Sequence, residues 1–112
     1  MRTYIVNITK SAYDRKIMRP GPLGNPFYLV NPDDNLERRH VLWLFDQWFY
    51  KEIAKNPVYV EEVHNCYGLI LGCVCKPKLC HGDIIVDYLN HLPADVREEL
   101  EWRIQISRSS RR

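Results

Sequence analysis

No stretch of this 112-residue chain approaches the roughly 20 consecutive apolar residues that a membrane-spanning helix requires. The first ten residues, MRTYIVNITK, also lack a long apolar segment of the secretory kind and pass directly into strand-like alternation, so export is not expected and a cytoplasmic setting is. A large excess of either charge is missing as well. The formal net charge is +2, and the C-terminal SRSSRR contributes three of the 16 basic residues without an acid. The rest of the chain then holds 13 basic against 14 acidic residues, which excludes a broad basic face for duplex nucleic acid. The tail can touch phosphates without selectivity, but nucleic acid is not expected as the main partner. Internal repeats and a dividing linker are both missing. One domain is therefore expected over residues 1–106, followed by a disordered basic tail at 107–112.

What is present is a chain of ordinary globular composition, 46% apolar and 27% charged. Thr3 to Thr9 is rich in β-branched and aromatic residues and reads as a strand. Lys10 to Phe27 is crowded with proline and glycine, and prolines 20, 22 and 26 exclude helix there. Asn35 to Ala54 has helical spacing in Val41, Leu44, Phe45, Trp48 and Ile53, with Arg38, Arg39, Asp46, Lys51 and Glu52 expected in water. Asn56-Pro57 restarts a short helix that Gly68 stops. Leu69 to Cys75 is apolar on both faces and suits a covered parallel strand. Helices are expected again over Asp83 to His91 and from Asp95 onward. This order implies an α/β protein, a small Rossmann-like three-layer sandwich with a short parallel sheet and a C-terminal helix pair. So thin a sheet makes a homodimer plausible.

Parallel strands place the loops that follow them on one edge, where ligands of open α/β sheets bind. Here those loops are Lys10 to Phe27 and Lys76 to Gly82, the two of unusual composition. The second runs into a helix near Asp83, whose first N–H groups and dipole favour an anion. Gly82 would let a ligand approach, Lys76 and Lys78 add positive charge, Arg19 can clamp a phosphate, and Asn25, between Gly24 and Pro26, can face a ribose or base.

The sulfur residues allow three readings. Cys73, Cys75, Cys80 and His81 form a Cys-x-Cys-x4-Cys-His set able to fill a tetrahedral zinc site, with Cys75, Cys80 and His81 as its core ligands. Cys80 beside His81 at a helix start can instead be an activated nucleophile, with His81 or Asp83 moving protons. In the third reading Cys73 is a small core residue, and Cys75, Cys80 and His81 surround a ligand.

Two segments, Arg19 to Phe27 (RPGPLGNPF) and Gly72 to Asp83 (GCVCKPKLCHGD), are similar to the paired motifs of an uncharacterised domain family of phages and bacteria. The resemblance covers about residues 3 to 90 and carries over Arg19, Gly24, Asn25, Pro26, Cys75, Pro77, Cys80, His81, Gly82 and Asp83. Val74 stands where that family usually has an aromatic, and Ile17-Met18 replaces a more common Ile-Gly. The resemblance implies a bacterial host cell and one composite site made from both motifs. Two functions from different classes follow as expectations. One is binding, with or without processing, of a nucleotide or other phosphorylated ligand between the motif loops, including its mere sequestration. The other is a zinc-stabilised module that binds a host protein or nucleic acid.

Overall fold

The computed structural model describes residues 1–109. Its elements are β1 (Tyr4–Asn7), β2 (Arg15–Lys16), α1 (Asn35–Lys55), α2 (Pro57–His64), β3 (Ile70–Cys73), α3 (His81–Asn90) and α4 (Ala94–Ser109). The architecture is mixed α/β, with one three-stranded parallel sheet in the order β1-β3-β2. Tyr4 through Asn7 lie opposite Ile70 through Cys73, and Arg15 and Lys16 lie opposite Leu71 and Gly72.

The path between the two outer strands explains one residue of the central strand. β1 and β2 flank β3 on opposite edges, so the chain between them must cross the face of β3. Parallel connections usually take a dozen or more residues, often a helix. Here residues 8–14 make the crossing without one. They pass so close that a Cβ on Gly72 would sit 2.5 Å from Ile8 Cγ2 and 2.9 Å from Tyr13 Cγ. Asp14 ends the crossing: its N–H donates to the Ile70 carbonyl at 2.7 Å, and its carboxylate accepts the Ile70 N–H at 2.7 Å. The second face of the expected sandwich therefore carries this loop over Gly72, while Tyr4 and Ile70 stay exposed.

The other face of β3 holds the core. Leu71 and Cys73 join Ile17, Leu23, Phe45, Phe49, Val63, Ile85 and Leu89 in one buried cluster. α1 starts at Asp34, whose carboxylate accepts the N–H groups of Leu36 and Glu37. Glu37 reaches back past the cap to Val30 and Asn31, and so pins the loop rather than closing a capping box. The buried stripe of α1 is Arg38, Val41, Phe45 and Phe49. Arg38 belongs to it because it precedes Val41 by three residues and Phe45 by seven. The expectation of a solvent-facing Arg38 is thus corrected: it is 6% exposed.

α2 opens with the Asn56 side chain accepting the Tyr59 N–H and Pro57 in the first turn, and Gly68 at φ 76° turns the chain into β3. α3 begins at His81, two residues before the expected start, because Cys80 rather than Asp83 is the cap. α4 runs on to Ser109, three residues past the expected end of the folded part, and 110–112 lie outside the described residues. Among the described residues no helix is long and apolar enough to cross a membrane.

Candidate functional site

β1, β2 and β3 end at Asn7, Lys16 and Cys73, and the segments leaving the last two form the walls of a cavity of about 580 Å³. Arg19, Asn25, Arg38, Cys75, Lys76 and His81 are among its lining residues, so both motifs and the first turn of α1 meet there. Asn7 fixes the second wall by donating its amide to the carbonyls of Lys76 at 2.6 Å and Val74 at 3.3 Å.

The floor is a compact sulfur–imidazole group. Cys80 Sγ lies 3.2 Å from Cys73 Sγ and 3.7 Å from His81 Nδ1. The ligand-type atoms of Cys73, Cys80 and His81 all fall within 4.8 Å of one another, and all three residues are buried. Adjacent side chains converge here because the backbone changes type between them. Cys80 is extended (φ −140°, ψ 148°), whereas His81 is the first helical residue. Cys73, a core residue in one reading of the sequence and a metal ligand in another, is both a core residue and a member of this group. The half-buried Cys75 interacts with the thiols of Cys73 and Cys80. Those contacts, followed by the Arg38 guanidinium, hold its thiol well below the ordinary value, and burial works against them. The Cys80 thiol is correspondingly pushed far up by its sulfur neighbours and by burial.

His81 Nε2 lies 2.8 Å from the Ile17 carbonyl and 3.1 Å from that of Leu23. Carbonyl oxygens only accept, so Nε2 carries the proton and Nδ1 presents its lone pair to the thiols. Burial lowers the His81 pKa and keeps the ring neutral.

The expected ligand contacts fare differently from one another. Gly82 does not open the backbone to a ligand: it is buried, and a Cβ there would meet Ile17 Cδ1 at 2.6 Å and Ile5 Cδ1 at 2.7 Å. Its bareness lets α3 settle on the sheet. The start of α3 is also occupied already, since Cys80 Sγ accepts the Gly82 N–H and Asp83 accepts the Cys80 N–H at 3.0 Å. Asp83 further pairs with Lys76 at 2.9 Å. Gly24 is needed for the turn itself, because a Cβ would lie 2.7 Å from Arg19 N and 2.9 Å from Arg19 Cα. Asn25 accepts the Phe27 N–H at 2.9 Å across the exposed Pro26. Arg19 donates to the Asn25 carbonyl at 2.7 Å and lies 3.7 Å from the Tyr28 ring centroid.

Sequence reasoning passed over Arg38. Its guanidinium donates to the carbonyls of Leu79 at 3.1 Å and Pro32 at 2.8 Å, joining α1 to both walls. Its buried Nε has no hydrogen-bond partner. The missed signal was its place on the apolar stripe of α1.

Residues 5–91 match the family described as Domain of unknown function (DUF4326). The chain belongs to that family. The match takes in both walls of the cavity and the whole sulfur–imidazole group. The chain is also 36% identical over 91 residues to the "Uncharacterized 12.4 kDa protein in nrdA-td intergenic region" of Enterobacteria phage T4, covering 81% of each chain. No solved structure matches.

Proposed function

We propose that this member of the DUF4326 family binds a small anionic ligand, of the nucleotide or phosphorylated-metabolite class, in the cavity between the two motif loops. One observation carries the reading: Arg19, Arg38, Lys76 and Lys78 line the cavity, and no carboxylate does among the described residues. The two lysines have acidic neighbours outside it, Asp83 at 2.9 Å and Asp33 at 3.4 Å. The two arginines are held by carbonyl oxygens, which orient a guanidinium without cancelling its charge. Apolar walls from Phe27, Leu29, Val41 and Leu42 lower the local dielectric and suit the flat face of a base or another apolar group. We read the sheet as a short Rossmann-like one, with the ligand beyond the carboxyl ends of its strands.

The reading is one of binding. Cys80 and Asp83, the expected catalytic pair with His81, cap α3 in this arrangement, and His81 is tied to two carbonyls. Sequestration of a nucleotide needs no more than such a pocket.

Thermal shift of the full chain against nucleoside phosphates, pyrophosphate and equal ionic strength of chloride tests it. A ligand at 100 times its Kd should stabilise by about 2.7 kcal/mol. Arg19→Gln should weaken that ligand roughly tenfold or more, as expected for loss of a charge-assisted hydrogen bond of about 1.5–3 kcal/mol. Equal shifts in chloride, or shifts unchanged in Arg19→Gln, would defeat the proposal.

A further inference from the structure

The floor of the cavity has a chemistry of its own, separate from the anion reading. A zinc ion with Zn–S of about 2.3 Å and Zn–N of about 2.0–2.1 Å in tetrahedral geometry sets S···S edges near 3.8 Å and S···N edges near 3.6 Å. The Cys80 Sγ to His81 Nδ1 distance is 3.7 Å, and the Cys73 to Cys80 sulfur pair stands at 3.2 Å. An entering ion would spread the Cys73–Cys80 pair by about half an ångström. The imidazole is prepared in the way metal-binding histidines are: Nε2–H is anchored on backbone carbonyls, which fixes the tautomer and aims Nδ1 at the thiols. Cys75 lines the cavity beside this group of three and interacts with both other thiols, so its sulfur is the one available to move in and take the fourth position.

We propose that Cys73, Cys75, Cys80 and His81 form a site for one thiophilic divalent cation of the zinc class. Binding would release the thiol protons to solvent and leave three thiolates on a dication, a net charge of −1. The compensating charge is in place: the Arg38 guanidinium interacts with Cys75, and its buried Nε–H lacks a hydrogen-bond partner. An N–H···S bond to a metal-bound thiolate would satisfy it. Both Arg38 and the anchoring of His81 then become supports of the site. Cys66 is the internal control, a buried cysteine outside the group whose thiol donates to the Glu62 carbonyl.

The test uses the full chain purified in reductant without chelator. Metal analysis should find one equivalent of zinc. Reconstitution with cobalt(II) should give intense tetrahedral d–d bands and a sulfur-to-cobalt charge-transfer band. Both signals should be lost in Cys73→Ser and Cys80→Ser and kept in Cys66→Ser, and Arg38→Gln should lower metal affinity about 10–100-fold. If the serine variants do not fold, alkylation of the native wild type replaces them: zinc should protect Cys75, and a chelator should expose it. A metal-free protein that gives only a six-coordinate cobalt spectrum would overturn the proposal. So would protection of Cys75 that is indifferent to chelator. Metal content is read without any phosphorylated ligand, so failure here leaves the anion reading standing, and the reverse holds.

Discussion

Two cavities among the described residues differ in how their cations are engaged. The smaller, about 380 Å³, lies where α2, α4 and the turn before β3 meet, lined by Met1, His64, Tyr67, Gly68, Leu100 and Arg103 among others. Two of its positive groups face carboxylates: Arg103 pairs with Glu61 at 3.3 Å and Glu99 at 3.0 Å, and the N-terminal amine pairs with Glu101 at 3.2 Å. The larger, about 580 Å³, has two arginines whose hydrogen bonds run to backbone carbonyls, over a floor of thiols and imidazole. Equal cations thus have different consequences. A cation answered by a carboxylate presents little field to a newcomer, whereas one oriented by carbonyl dipoles keeps its charge for a ligand.

The sharpest way to break that comparison is to neutralise one arginine of each cavity. Arg38→Met removes two charge-assisted hydrogen bonds, to the carbonyls of Leu79 and Pro32, and the protein should lose about 2–4 kcal/mol in chemical denaturation. Arg103→Met removes exposed pairs only, and its midpoint should stay where it was. If the two variants behave alike, the distinction between the cavities is not energetic.

A smaller effect sharpens the geometry. Gly24→Ala presses a methyl group onto the Arg19 backbone, so a loss of about 1–3 kcal/mol is expected, as for overpacking elsewhere. Because the same turn seats Arg19, ligand affinity should fall with stability, as titration calorimetry would report. An unaltered melting curve would show that this loop yields freely.

The smallest effect concerns the other cavity. Burial holds His64 below its ordinary value of 6.5, with Arg103 acting the same way and Glu61 and Glu99 against it, while its Nε2 meets the Tyr88 hydroxyl at 2.8 Å. The folded pKa lies below the unfolded one, so the unfolded chain takes up this proton first. The resulting stability is complete above about pH 6.5 and is lost as pH falls through and below it. His64→Gln should flatten the dependence of Tm on pH between 7 and 5 in part, since buried His81 contributes with the same sign. An unchanged slope would remove His64 from the account.

Much of this was written locally in the chain. The Asp34 and Asn56 caps, the Pro57 restart, the apolar repeat of α1 and the continuous apolar run of β3 are short-range features, and local physics is enough to place helices and strands from them. The parallel order also followed, and with it the prediction that the RPGPLGNPF and CKPKLCHGD loops share an edge. Three matters were decided only by the tertiary structure. Gly72 and Gly82 are bare because of Ile8 and Tyr13, and of Ile17 and Ile5, contacts between segments that the sequence alone does not bring together. Periodicity puts Arg38 on the buried stripe, but the carbonyls of Pro32 and Leu79 that accept from its guanidinium there are brought to it by the tertiary structure. And Cys73 joins Cys80 and His81 because the end of β3 and the start of α3 lie side by side, so that one residue serves both the core and the floor of the cavity.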